Sequence, residues 1–393
     1  MKDFTFNVPQ DIIFGKGSLK RLPELLEKSG SKKMLLISGP VLKKIGMVEK
    51  VEEIVKASGI EVEVFTDVEA NPSVATVDKA TEAYKKAGAT SIVAFGGGSP
   101  MDVAKAVGVL AKYGGEIGDY EGAHKVPGPI VPIIAIPTTA GTGSEVTAFS
   151  VITDEARNYK LTVFSYELIP SYALLDPELV MTSPASVAAA CGVDALIHAW
   201  EAYTSRDASP FSDAMAEKAM ELIGANLRRF VANRQDEEAA AAMLSGSMFA
   251  GIAFAWARLG NIHAMSHPVS AYFHVAHGVA NAILLPTIVE YNALADHGRY
   301  EKIYNYISKE KDPVIDFVGE KFKNGEIFVP EMLVDEARDL LRDLGIPQHL
   351  ADVGVTEDKI ELMAADAMKS GNIMANPRQS TIRDIIELYK KAM

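Results

Sequence analysis

The sequence predicts an α/β fold: an amino-terminal half, residues 1–182, built on a Rossmann-like parallel sheet, and an all-helical carboxyl-terminal half, residues 183–393. Three observations predict it. Short β-branched apolar runs alternate with amphipathic stretches through the first half; glycine-rich turns follow two of those runs; and from Ser183 onward the apolar spacing is helical, with brief breaks. A chain of 393 residues is also too long for one compact core and suits two.

KKMLLISG reads as a strand, followed by the amphipathic MVEKVEEIVKAS, the strand EVEVFTDV, the helical TVDKATEAYKKAG, the strand SIVAF, the helical PMDVAKAVGVLAKY and the strand PIIAIPT. This βαβα order implies a mainly parallel sheet covered by helices on both faces. Strands buried on both faces lack polar alternation, and IIAI lacks it. The second half opens at SPASVAAACGVDALIHAWEAYTS, where Ser183 ahead of Pro184 is a helix start, and RDASP, ALADHG and LGIPQ separate later helices.

Apolar residues make up 48% and charged residues 23%, as in ordinary globular chains. The net charge of −13 repels polyanions, and no basic stripe is present, so nucleic acid is excluded as a partner. Cys191 is the single cysteine, which rules out disulfides and thiolate metal cages within the chain and fits a reducing cytoplasm. The amino terminus, MKDFTFNVPQDIIFGKG, has no apolar stretch of the signal-peptide kind. No run approaches the roughly 20 apolar residues a membrane helix requires, so a membrane is not expected as a partner either.

In SIVAFGGGSPMDVAKAV a buried-strand pattern runs into Gly96, Gly97 and Gly98, then Ser99 as helix N-cap and Pro100 at the first helical position. Glycines permit close backbone approach, and the following helix points free N–H groups and the positive end of its dipole at whatever lies on the turn. A pyrophosphate suits it, although a ligand-free β-to-α connection uses the same glycines. A second turn, IAIPTTAGTGSEV, sets Thr138, Thr139, Thr142 and Ser144 beside two more glycines. Two such turns at neighbouring strand ends flank one extended ligand, a dinucleotide above all. A mononucleotide or a sugar phosphate is not separated from it by composition.

Histidine is scarce, with eight in the chain, yet NIHAMSHPVSAYFHVAHG holds His263, His267, His274 and His277. Asp194 and His198 lie four apart in GVDALIHAW, a spacing that puts both side chains on one helix face, and His263 and His267 repeat it. Any one of these alone is an ordinary helix residue. One carboxylate plus several imidazoles suits a divalent transition ion such as Fe(II) or Zn(II), whereas magnesium or calcium wants more oxygens. His124, His297 and His349 lie in polar or loop surroundings and are assigned no role.

FGKGSL, GGGSPMDVAK, PTTAGTGSEVT, LLDPELVMTSP, GVDALIHAWEAY, HAMSHP and HGVANAILLP, in that order along almost the whole chain, resemble the iron-containing (group III) alcohol dehydrogenase family. The resemblance implies a dehydroquinate synthase-like architecture with cofactor and substrate in the cleft between the halves. It implies Asp194, His198, His263 and His277 as metal ligands, His267 as a proton-relay residue near the substrate, and His274 beside the nicotinamide. It places cofactor contacts on Gly97, Gly98, Ser99, Asp102, Thr138, Thr139, Thr142 and Lys160. It also implies a homodimer or higher homo-oligomer, with FTFNVPQDIIFG as the strand that pairs between copies.

Departures from the family pattern bear on specificity. Gly39 stands where many members have an aspartate against the adenosine ribose, which removes the penalty against a 2′-phosphate and leaves NAD(H) and NADP(H) both open. Ala276 replaces the usual proline ahead of His277, and Trp256 and Arg258 replace small or amide residues ahead of His263. Read as a continuous helix, the segment brings Arg258 either to the substrate end of the cleft or to solvent beside a carboxylate. In the first case a guanidinium would select an anionic aldehyde such as sulfoacetaldehyde or a semialdehyde. The resulting expectation is reversible hydride transfer between NAD(P)(H) and a small primary alcohol or aldehyde. The alternative is a dehydroquinate synthase-like lyase, which shares the architecture but regenerates its cofactor.

Overall fold

A computed structural model describes residues 10–157, 159–308 and 328–393. The first half of the segment expected to pair between copies, up to residue 9, lies outside the described residues. The strands are β1 (Asp11–Phe14), β2 (Lys33–Ile37), β3 (Glu61–Phe65), β4 (Ser91–Gly96), β5 (Gly122–Ala123), β6 (Ile133–Pro137), β7 (Phe149–Asp154), β8 (Tyr159–Phe164) and β9 (Tyr172–Leu175). Six of them form the main sheet in the order β1-β9-β6-β4-β2-β3, with every neighbouring pair parallel.

The α-helices between these strands are α1 (Leu22–Lys28), α2 (Pro40–Lys44), α3 (Met47–Lys56), α4 (Val74–Ala87) and α5 (Gly98–Tyr113). The period-2 alternation of the strands decides which face each helix covers. Leu35 and Ile37 of β2 and Ile92 and Ala94 of β4 pack with Val77 and Ala80 of α4 and Val103 and Val107 of α5. Their neighbours Met34, Leu36, Val93 and Phe95 pack on the opposite face with Leu22 and Leu26 of α1 and Val48 and Val51 of α3. Central strands β4 and β6 are buried throughout, as two covered faces require.

The remaining helices are α6 (Pro177–Val180), α7 (Ala185–Thr204), α8 (Pro210–Ala232), α9 (Glu237–Ala257), α10 (Asn261–Phe273), α11 (His277–Asn292), α12 (Arg299–Ile307), α13 (Pro330–Asp343), α14 (Ile360–Ala367) and α15 (Ile382–Ala392). The change from strand to helix falls between β9 and α7. The breaks expected at RDASP, ALADHG and LGIPQ are present; at the first, Ser209 and Ser212 cap each other with Pro210 at the first turn of α8. By length and composition α9 matches a membrane span, contrary to expectation, but 56% of its most apolar window is buried among the other helices.

Three local expectations are corrected. Helix α5 starts at Gly98 with Gly97 as N-cap, and Ser99 Oγ instead donates to the Ala70 carbonyl at 2.8 Å. Helix α7 starts at Ala185, because Ser183 Oγ turns back to the Val180 carbonyl. And β7 and β8 form an antiparallel hairpin that joins β5 in a second, three-stranded sheet, which the βαβα reading did not contain. The alternating burial of β7 leaves Phe149, Val151 and Thr153 half-buried on one face while Ser150 and Ile152 are buried on the other.

Candidate active site

The strand order places the glycine turns side by side. β4 and β6 are adjacent, and the Thr138 N–H that begins the second turn donates to the Gly96 carbonyl at the start of the first, at 2.9 Å. A Cβ on Gly97 would lie 3.2 Å from Thr139 Oγ1, and one on Gly98 would lie 2.8 Å from Thr142 Cγ2, so only glycine lets these turns meet. No side chain caps α5, whose first N–H groups are left for a ligand. Helices of the second half grip the other turn: a Cβ on Gly141 would strike Cys191 of α7 at 2.8 Å, and one on Gly143 would strike Gly251 of α9 at 2.7 Å.

The expected cofactor residues fall around this cleft in different roles. Asp102 is engaged within the protein, accepting from Ser144 Oγ at 2.8 Å and from the Val151 N–H at 3.2 Å. Burial pushes its carboxyl up from the usual range against the pull of Lys105. Lys105, which the sequence did not flag, is fully buried and donates to Ser144 Oγ, Thr147 Oγ1 and the Phe149 carbonyl. Together they brace the second turn against α5 and β7. Lys160 on β8 donates to Asn71 Oδ1 at 2.6 Å and Thr153 Oγ1 at 3.1 Å, and burial lowers its ammonium to about 8. Gly39, two residues past the end of β2, is the N-cap of α2 with an extended backbone that any residue adopts, and a Cβ built on it would meet only the Val68 carbonyl, at 3.5 Å.

The structure brings Asp194, His198, His263 and His277 together from three helices. One ligand atom from each lies within 4.8 Å of all the others. Nε2 of His198, His263 and His277 is 3.9, 3.7 and 3.7 Å from Asp194 Oδ1. The far ring nitrogens are held: His198 Nδ1 lies 3.3 Å from the Gly141 carbonyl, and His263 Nδ1 lies 2.6 Å from Glu201 Oε2. A donor hydrogen on each Nδ1 leaves the Nε2 lone pair pointing into the cluster, the arrangement second-layer partners impose on metal-binding histidines. Asn281, one turn after His277, sets Nδ2 2.6 Å from Asp194 Oδ1 and 3.1 Å from Nε2 of both His263 and His277, and its Oδ1 has no partner among the described residues.

The electrostatics match this geometry. Burial raises the Asp194 carboxyl but the three imidazoles outweigh it, so it stays ionised far below the usual range. Burial lowers His198 and His277 to about 4, which leaves both neutral at neutral pH. Burial also opposes the charge on His263, but Asp194 and Glu201 raise it to about 9, and a bound cation would displace that proton. Converging acceptors around one carboxylate, with no thiolate, fit a divalent transition ion.

His267 lies one turn after His263, with its ring 5.4 Å from that of His277 and outside the four-atom cluster. His274 is the exposed, left-handed C-cap of α10 at φ 56°. Ala276 caps α11 at φ −58°, the angle a proline would hold, so its replacement leaves the His277 turn in place.

The two tentative substrate residues do not reach the cluster. Trp256 stacks on Tyr166 at 5.0 Å. The continuous helix assumed for Arg258 is broken: α9 ends at Ala257, Arg258 takes a positive φ of 62°, and α10 begins only at Asn261. Arg258 points to solvent with its side chain 59% exposed and Nε 3.8 Å from Asp207 Oδ2, the surface alternative. Phe254, which the sequence reading passed over, stacks on His198 at 4.5 Å instead. Glu201, three residues after His198, and Asn281, four after His277, were also missed; their helical spacing from a ligand was the available signal.

Comparison with known proteins agrees with this geometry. Residues 9–177 match the profile "Iron-containing alcohol dehydrogenase" and residues 188–393 match "Fe-containing alcohol dehydrogenase family, C-terminal". The NAD-dependent methanol dehydrogenase of Bacillus methanolicus is 35% identical, covering 99% of both chains. The 1,3-propanediol dehydrogenase of Citrobacter freundii is 37% identical, covering 99% of this chain and 98% of its own. A solved 1,3-propanediol oxidoreductase superposes with a TM-score of 0.92 at 36% identity over the full length of both chains. The chain therefore belongs to the iron-containing alcohol dehydrogenase family.

Proposed function

We propose that this protein catalyses reversible hydride transfer between a nicotinamide dinucleotide and a small primary alcohol or aldehyde, with Asp194, His198, His263 and His277 holding the metal ion. The convergence of those four ligand atoms beside the paired glycine turns is the observation that carries it. Such an ion, iron by family and zinc by ligand chemistry, supplies Lewis-acid stabilisation of charge on the substrate oxygen. The glycine turns let the backbone close on the cofactor phosphates, and Glu201 and the Gly141 carbonyl hold the ligand imidazoles in one orientation. The test is stoichiometric: aldehyde-dependent loss of NADH or NADPH supports the dehydrogenase, whereas turnover with no net change in cofactor supports a lyase of the dehydroquinate synthase kind.

His267 is the residue proposed to pass the substrate proton towards water, since it adjoins His277 without joining the ligand set. His267→Asn is expected to lower kcat about tenfold or more with metal content near that of the parent. Loss of metal in that variant would instead make His267 a ligand. Gly39 is proposed to admit NADP(H) by removing a negative charge from the ribose side of the cleft. Gly39→Asp is expected to shift the NADH/NADPH ratio of kcat/KM about tenfold towards NADH; an unchanged ratio would remove Gly39 from the cofactor site.

The working unit is proposed to be a cytoplasmic homodimer or higher homo-oligomer. β1 lies at the edge of the main sheet with Phe14 46% exposed, a strand edge open to pairing. A monomer mass by light scattering would overturn the oligomer.

A further inference from the structure

Phe149 and Phe164 of the β7–β8 hairpin are half-buried, and Phe254 of α9, at the margin of burial, stacks on the ligand His198. In β7 and β8 the register pairs Phe149 with Phe164, Val151 with Thr162 and Thr153 with Lys160, so these six residues share one face of the ribbon. That face is half-buried, while Ser150, Ile152, Leu161 and Val163 behind it are buried. Its two ends differ in chemistry. One end carries Lys160, bonded to Asn71 and Thr153; the other, about 14 Å along the strands, carries the paired rings of Phe149 and Phe164, 4.7 Å apart and nearly parallel.

The aromatic end is continuous with the metal cluster. Phe149 faces Phe254 of α9 at 6.1 Å, and Phe254 stacks on the ligand His198 at 4.5 Å. Outward from Phe164 the row ends at Tyr166 and at the exposed His124, 5.6 and 4.8 Å away. Lys105 fixes the Phe149 main chain by donating to its carbonyl at 2.8 Å. The Arg258 guanidinium does not enter the row, since it is at the surface beside Asp207. Aromatic rings left partly exposed near a ligand-binding centre mark a site for apolar surface.

We infer that Phe254, Phe149 and Phe164 form a sleeve for the hydrocarbon tail of the substrate, so that this enzyme selects uncharged aldehydes and alcohols of about six carbons over both shorter and anionic ones. The inference rests on the dehydrogenase reading above and names the substrate class of that same site. A tail leading away from the reacting carbon passes over Phe254 and lies along the exposed side of the stacked Phe149 and Phe164 rings, where each methylene removed from water adds about a fourfold gain in binding. The carboxylate of a four-carbon semialdehyde would lie against the Phe149 ring, with Lys160 at the opposite end of the ribbon face.

The test compares propanal, hexanal and succinic semialdehyde with the iron-loaded enzyme at saturating reduced cofactor. The expected kcat/KM for hexanal exceeds that for propanal more than tenfold, and succinic semialdehyde falls below both. In Phe149→Ala, and independently in Phe164→Ala, the hexanal-to-propanal ratio is expected to fall about tenfold. Binding gives a second readout: 1-hexanol should raise the unfolding midpoint of the loaded protein more than 1-propanol at equal concentration, and Phe149→Ala should erase the difference. Equal ratios in parent and variants, or a preference for the semialdehyde, would overturn the sleeve while leaving the dehydrogenase reading intact. Absence of turnover with every aldehyde would overturn both.

Discussion

Replacing Asp194 by asparagine is expected to leave the purified protein with little bound iron or zinc and to lower kcat/KM by about a thousandfold or more, roughly 4 kcal/mol of lost transition-state stabilisation. Asp194 is the only anion among the four ligands and is almost wholly buried. Asparagine keeps its shape, so the helix packing of α7 survives, but it removes the charge that draws a dication into an apolar interior. It also leaves the Asn281 amide nitrogen, 2.6 Å from Asp194 Oδ1, facing a carbonyl or another amide. Metal analysis after chelation and reloading with Fe(II), beside a circular dichroism spectrum matching the parent, separates loss of the ion from loss of the fold. A variant that retains a full equivalent of metal and its activity would remove Asp194 from the centre.

The parts of this site that were legible in the sequence are those set by local spacing. Asp194 and His198 share a helix face because they are four apart on an apolar helix, and Gly96, Gly97 and Gly98 announce a turn because no other residue permits so close an approach. The alternation of β2 and β4 between two cores likewise follows from period-2 geometry. What was not legible depends on contacts between distant segments. Only the resemblance, and not the spacing, joined His277 to the other ligands rather than His267, since His267 lies one turn after His263 whereas His277 lies beyond the end of α10.

Arg258 shows the same limit. Its segment, AFAWARLG, favours helix throughout until Gly260, yet the chain leaves the helix at Arg258 in a positive-φ conformation that sequence propensity disfavours. The tertiary requirement is that α10 begin where Glu201 can accept the Ile262 N–H, and a continuous helix would not deliver it there. The β7–β8 hairpin escaped for a different reason. Its strands are only half-buried, and the βαβα rhythm ahead of them favoured a parallel reading.

Glu201 supplies the second large effect. Its carboxylate is buried and has two duties: Oε1 accepts the Ile262 N–H at 2.7 Å, and Oε2 accepts from His263 Nδ1 at 2.6 Å. The same oxygen Oε1 lies 2.9 Å from where a Cβ on Gly260 would stand, so the approach of α7 to the start of α10 depends on a glycine there. Glu201→Gln keeps the volume but offers one acceptor oxygen for two N–H donors, and its NH2 group must face one of them. Either the α10 N-terminus or the His263 ring loses its anchor. Iron or zinc affinity, measured by competition with a chelator, is expected to fall about 10- to 100-fold, the usual cost of removing a carboxylate behind a metal-binding imidazole. In the metal-free protein the His263 imidazole, held at about 9 by Asp194 and Glu201, should titrate lower in the variant, which a proton NMR titration reads without any turnover. A merely structural role would shift stability and leave that titration unmoved, and an unchanged metal affinity together with an unchanged His263 pKa would mean that Glu201 does not orient the ligand at all.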